Sequence, residues 1–233
     1  MKTKLAMLAI AGSAVLGAAA LPREAPKHRI VVVELFQSQG CSSCPPALAN
    51  VNAIADRPDV LALSYGVTYW DQLGWKDSFA SPQFTARQWD YAHHYGRGQV
   101  ATPQVWIDGR GSIVGSNTAQ LRQSLASAPT LEGPDLRFVN DRVAVAQGRA
   151  PSGGAEVWLV RYDPRTIQVA IRAGENGGRT LAHRDIVRQL VDLGHWTGHA
   201  ASFPIPVAPR DSFKTAVFVQ LGRGGPIVSA AKL

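Results

Sequence analysis

Apolar residues fill the run from Ile30 to Phe36 with only Glu34 interrupting, a pattern that predicts a strand buried on both faces. Pro45 and Pro46 follow at a helix start, where a missing N–H removes nothing the helix needs. Leu48, Val51 and Ala55 then recur on one helical stripe, which Pro58 closes. Val60 to Leu63 reads as a second short strand, completing a βαβ unit. Ser81-Pro82 has the form of an N-cap and first turn, and Phe84, Gln88, Tyr91 and Tyr95 fall on one side of the helix that follows. Gln104 to Ile107 and Ser112 to Val114 flank Asp108-Gly109, a hairpin signal. Asn117 caps a last helix carrying Leu121, Leu125 and Ala128, ended by Pro129.

From about Gly133 the texture changes. Leu136 to Phe138, Val143 to Val145, Val157 to Leu159 and Ile167-Val169-Ile171 alternate with polar residues between turn-rich pieces, and Phe213 to Leu221 reads as a further strand. Leu181 to Leu193 fits a helix by the spacing of Ile186, Val187, Leu190 and Val191, and a strand by its surroundings; both stay open. The expected organisation is therefore an α/β domain over 27–130, with a helical insertion near 69–95, and a mostly β, sandwich-like domain over 134–233. The element order of the first resembles a thioredoxin-like domain. That resemblance implies a cis Thr102-Pro103 bond packed against the start of the first helix.

Composition narrows the class. A basic start at Lys2 and Lys4, an apolar stretch from Leu5 to Leu16 and Ala18-Ala19-Ala20 have the three parts of an export signal over 1–20. The apolar stretch is short for a membrane span, and no later run reaches that length, so no stable membrane insertion of the mature chain is expected. The expected location is periplasmic or secreted. The formal net charge of +7 falls to +5 without the two leader lysines, and the remaining basic residues are scattered. Neither a basic block nor an aromatic-interleaved stripe supports nucleic-acid binding.

The chain has 2 cysteines, and they form Cys41-Ser42-Ser43-Cys44, directly after the first strand and before the first helix. Backbone N–H groups at a helix N-terminus favour negative charge, so a thiol placed there ionises more readily, and the thiolate is the reactive form. An exported setting lets a disulfide persist. Closing so short a loop removes little chain entropy, so the pair makes a poor staple. The reading is a thiol–disulfide oxidoreductase acting on protein or small-molecule thiols and disulfides, with Cys41 as nucleophile and Cys44 as resolving thiol. No cofactor is needed, because two sulfurs carry both electrons. The alternatives are a binding module with a static Cys41–Cys44 bridge, and a metal-binding thiol site, for which the sequence supplies no histidine beside the cysteines. Glu34 is a candidate proton relay to the resolving thiol, or a buried acid satisfied by local hydrogen bonds. Tyr69, Trp70 and Trp75 are candidates for the wall of a substrate groove, or for core filling.

The stretch from Val33 to Pro46 (VELFQSQGCSSCPP) resembles a family of secreted bacterial thioredoxin-like proteins catalogued as a domain of unknown function. Tyr69-Trp70-Asp71, Gly74-Trp75-Lys76-Asp77, Arg87-Gln88, Thr102-Pro103-Gln104 and Gly174-Glu175-Asn176 carry the same resemblance over nearly the whole mature chain. It implies a thioredoxin-like fold, export, and Thr102 and Pro103 as substrate-placing residues; it implies no substrate. The family pattern has a histidine and an aspartate just before Tyr69, where this chain has Gly66 and Thr68.

Overall fold

Strand β1 (Val31–Gln37) is buried at every position, as its apolar run requires, and the rest of the molecule is laid out around it. The computed structural model describes residues 30–233; the expected leader over 1–20 lies outside them. Helix α1 (Cys44–Asn52) follows, with prolines at its first positions and Ala47, Leu48 and Val51 buried. Strand β2 (Val60–Gly66) returns parallel to β1, pairing Val31 with Val60 through Gln37 with Gly66. Residues 69–80 form turns rather than helix, and the helix of the expected insertion is α2 (Pro82–His94), whose Ser81 side chain accepts from the Gln83 N–H. Strands β3 (Gln104–Ile107) and β4 (Gly111–Ile113) make the expected hairpin, with β3 antiparallel to β1, and Asn117 caps α3 (Thr118–Ser127).

The second half is all strand: β5 (Leu136–Val139), β6 (Arg142–Val145), β7 (Ala155–Asp163), β8 (Ile167–Ala170), β9 (Thr180–His183), β10 (Ile186–Trp196), β11 (Ala201–Pro204), β12 (Lys214–Gln220) and β13 (Ile227–Lys232). Leu181 to Leu193 is thus strand, divided between β9 and β10. The boundary expected near 130–134 falls between α3 and β5, and one sheet runs across it. Its order is β13-β12-β7-β10-β2-β1-β3-β4, joined where Ile186 of β10 pairs with Ser64 of β2. The protein is a mixed α/β structure with a large, mostly β framework and few helices.

Three apolar clusters hold it. On one face of the joined sheet, Val32, Phe36, Leu63 and Tyr65 of the first half meet Trp158, Val160 and Phe218 of the second beneath Phe84 and Tyr91 of α2. On the other face, Val31, Val33 and Leu35 pack under α1 and α3. The small sheet β11-β6-β5 covers Val157, Leu159, Val217 and Val219, closing a sandwich at the C-terminal end. Each fully buried large apolar side chain contributes about 1.5–3 kcal/mol, so the first cluster ties both halves into one core. The hairpin β8–β9 stands apart as a two-stranded ribbon, and β9 packs on α1. That packing brings the hairpin tip to the cysteines.

Candidate active site

Cys41 and Cys44 are joined as a disulfide at the start of α1. The turn between β1 and α1 is tied by Cys41 N–H to Ser38 O and by Cys44 N–H to Cys41 O. Ser43 occupies the N-cap position but its side chain does not cap the helix. Its hydroxyl lies 3.3 Å from Cys41 Sγ and donates at 3.5 Å to the carbonyl oxygen of Thr102. The Thr102–Pro103 peptide bond is cis. The disulfide and this proline turn, 59 residues apart in sequence, therefore share one locus.

The aromatic candidates cluster here too. Trp70 Nε1 donates to Thr102 Oγ1 at 2.7 Å, and Trp75 Nε1 donates to Gln39 Oε1 at 2.9 Å. The Tyr69 hydroxyl donates to Gln88 Oε1 at 3.2 Å, and burial pushes its phenol up to about 12. Gln88 in turn donates to Ala101 O, so α2 braces the proline turn from behind. Tyr69, Trp70 and Trp75 are each half-buried and polar-bonded at the indole or phenol, and Tyr69 and Trp70 also pack against the first apolar cluster.

Glu34 is not at this site, and the proton-relay expectation is corrected. Val33 and Leu35 face α1, so strand alternation turns Glu34 to the opposite face of the sheet. There it meets Arg87 of α2 in a bidentate pair, Nε to Oε1 at 2.7 Å and Nη2 to Oε2 at 3.0 Å, and also accepts from the Tyr91 hydroxyl. Burial works against the charge of Arg87, but the facing Glu34 carboxylate together with Tyr91 and Tyr65 outweighs it, holding the guanidinium well above its ordinary pKa. Glu34 is a buried acid with its hydrogen bonds satisfied, the second of the two readings its sequence allowed.

The acids that do reach the cysteine turn are Asp77 and Glu175. Asp77 Oδ2 accepts from the Gln39 N–H at 2.8 Å and Oδ1 from the Phe79 N–H at 2.7 Å. Burial pushes Asp77 up to about 6 against those hydrogen bonds. Glu175, at the tip of the β8–β9 hairpin, accepts from the Ser42 N–H at 3.0 Å, and its contacts with Ser42 hold its carboxyl below the usual range. Beside it, buried Asn176 donates to Gln39 O at 2.9 Å and to Cys41 O at 2.8 Å. The motifs Gly74-Trp75-Lys76-Asp77 and Gly174-Glu175-Asn176 were visible in the sequence, but no periodicity connects positions 77 or 176 with position 39.

These coverings seal the disulfide. Cys41 is 0% and Cys44 1% exposed, while Ser42 and Ser43 between them are open to solvent. Gly66 lies against the backbone of Phe79 and Ala80, where an added Cβ would come within 2.8 Å of a backbone nitrogen, so a histidine does not fit there without a shift. Thr68 instead ties the insertion to α2 through Thr85 Oγ1. Among the described residues no three metal-ligating side chains cluster.

The family's sequence pattern spans residues 32–220, from β1 to the end of β12, and so takes in every one of these groups. The chain belongs to the family described as "Protein of unknown function (DUF1223)". Among solved structures it is similar to protein AGR_C_4864 from Agrobacterium tumefaciens, a crystal structure with 31% identity and a TM-score of 0.73, over 90% of this chain and 96% of that one. It is also similar in fold to HBP35 of Porphyromonas gingivalis, with 12% identity and a TM-score of 0.55, over 88% of this chain and 75% of that one. Among curated proteins nothing matches.

Proposed function

We propose that the protein is an exported thiol–disulfide oxidoreductase whose N-terminal half, from β1 to α3, is a thioredoxin-like unit. In this reading Cys41 is the nucleophile, Cys44 resolves the mixed disulfide, and Thr102-Pro103 with Tyr69, Trp70 and Trp75 places the substrate. The single observation that carries it is the meeting of the disulfide with the cis Thr102–Pro103 turn, bridged by the Ser43 hydroxyl. The parallel β1–β2 pair around α1, and the β3–β4 hairpin on the far side of β1, support the thioredoxin-like assignment. The basic-then-apolar leader supports export.

Complete burial of both sulfurs favours a second reading, a binding module in which the bridge is static. The two separate on the reduction potential. A catalytic pair exchanges with glutathione and equilibrates within the span of known oxidoreductases, about −120 to −270 mV, whereas a structural bridge resists reduction below about −300 mV. Cys44→Ser supplies the companion test: a nucleophilic Cys41 forms mixed disulfides with thiol partners, and an inert one leaves the redox reading without support.

A further inference from the structure

The hairpin tip crosses more than 130 residues of sequence to reach the cysteine turn, and its contacts fall on the groups that govern sulfur chemistry. Few backbone donors remain there. The Cys44 N–H is committed to Cys41 O, and positions 45 and 46 are prolines with no N–H to offer. Ser42 and Ser43 carry the remaining N–H groups of the turn, and the Ser42 N–H, on the residue after Cys41, goes to the Glu175 carboxylate. Asn176 fastens the same tip through both amide hydrogens.

We propose that the tip over residues 174–178 is a latch on the Cys41–Cys44 pair: Glu175 holds the anion position that a Cys41 thiolate would otherwise use, and Asn176 pins the tip shut. This rests on the redox reading above and adds to it how the site is regulated. The tip is a compact turn that holds its own shape. Gly174 and Gly178 take φ of +72° and +82°, and the turn closes on itself through Gly177 N–H to Gly174 O and Arg179 N–H to Asn176 O. At Gly174 an added Cβ would also stand 3.1 Å from Trp75 Cβ, so the latch packs against the aromatic insertion.

The chemistry gives the latch its coupling. When a dithiol donor reduces the pair, its thiolate attacks one sulfur and the Cys41–Cys44 bond breaks. The donor's second thiolate then attacks the donor-side sulfur of the mixed disulfide, forming the donor's own S–S bond and releasing the protein sulfur. The donor leaves as a disulfide and both cysteines as thiols, with one proton passing to solvent if Cys41 ionises. An ionised Cys41 and the Glu175 carboxylate are like charges competing for one N–H, so the closed latch and the reactive thiolate disfavour each other. Linkage makes this reciprocal: opening the latch promotes ionisation, and ionisation promotes opening.

The test uses the full chain in two assays: the rate at which dithiothreitol reduces the oxidised protein, and the pH profile of iodoacetamide alkylation of the reduced protein. Asn176→Ala removes the pin and is expected to speed reduction about tenfold. Glu175→Gln keeps the side-chain shape and removes the charge. With an unchanged unfolding midpoint, it is expected to move the alkylation midpoint down by about half a pH unit. A purely structural role would not move that profile, and Glu175→Gln decides alone if Asn176→Ala does not fold. Equal reduction rates with an unmoved profile overturn the latch and leave a working redox pair. A pair that glutathione-range potentials release in none of the chains overturns the redox reading itself.

Discussion

Glu34 and Asp77 are both buried carboxylates, one in the middle of β1 and the other against the turn that follows it, and their surroundings share nothing. Glu34 faces a guanidinium that matches it oxygen for nitrogen, with the Tyr91 hydroxyl on the same oxygen and the rings of Trp158 and Phe218 stacked near Arg87. Asp77 is held by backbone N–H groups, and burial leaves it titrating near 6. The first arrangement fixes a charge pair where two halves of a sheet meet. The second leaves an acid that changes state near neutral pH, hydrogen-bonded two residues before Cys41. A carboxylate's role thus follows from what compensates it, and nearness in sequence to a reactive group says little.

The largest effect expected from that contrast is at Arg87. Arg87→Met strands the Glu34 charge in the core and is expected to lower stability by about 3–5 kcal/mol, measured by urea unfolding. The double variant Glu34→Leu with Arg87→Met leaves no buried charge and is expected to recover most of that loss. Neither change should alter the alkylation profile of the reduced cysteines in folded protein. A shifted profile would reconnect Glu34 to the sulfur and break the comparison.

The same contrast explains which parts were legible in the sequence. The apolar run of β1, the paired prolines of α1, the capped helices α2 and α3 and the Asp108-Gly109 hairpin all signal themselves within a dozen residues, and each formed near its expected place, with α1 stopping at Asn52, short of the expected Ala55. The register of β1 was also implicit: Val33 and Leu35 belong with α1, so Glu34 had to point away, a consequence of strand alternation that proximity to Cys41 obscured. The join of β10 to β2 could not be read, because it rests on one backbone pairing, Ile186 with Ser64, across 122 residues. The Gly174-Glu175-Asn176 motif shows in the sequence, but its reach to the cysteine turn does not, for a related reason: the groups it meets there are backbone atoms of residues 39, 41 and 42, and backbone atoms carry no sequence signature.

Titration sharpens the contrast by adding a group of opposite sign. His183 is fully buried on β9, edge-on to Phe79, with no hydrogen-bond partner at either ring nitrogen among the described residues, and burial lowers it to about 4. Between pH 6.5 and 4 the unfolded chain protonates this histidine and the folded chain does not, so stability falls by about 3 kcal/mol as pH drops through that window. Asp77 works the other way. Its folded value near 6 stands above the unfolded 3.8, so the folded chain binds the extra proton and gains stability as pH falls from 6 to 4. Asp185, also pushed up to about 6 by burial, adds to Asp77. Unfolding curves collected from pH 7 to 4 should therefore separate the variants by slope. His183→Leu leaves the aspartates alone and gains stability toward acid relative to wild type. Asp77→Asn loses about 1–3 kcal/mol at pH 7, because an amide cannot accept from both N–H groups, and falls more steeply toward acid. Parallel curves for the two would mean that neither group titrates as its burial requires.

The smallest effect concerns the two coverings of the disulfide, the aromatic insertion and the hairpin tip. Trp70→Phe removes the bond from the indole to Thr102 Oγ1 but keeps a ring over the turn. Its stability loss is expected to be about 0.5–1.5 kcal/mol, the net worth of one hydrogen bond. Its effect on dithiothreitol reduction measures which covering is the barrier. The indole is tied to a neighbouring side chain, whereas Asn176 is tied to the Cys41 carbonyl itself, so loosening the indole should speed reduction about two- to threefold, well short of the Asn176→Ala effect. If Trp70→Phe instead matches or exceeds Asn176→Ala, the insertion is the gate and the hairpin tip only leans on it. A lone change in rate at Trp70 would then move the regulatory contact from the second half of the chain, where β8 and β9 lie, back into the first.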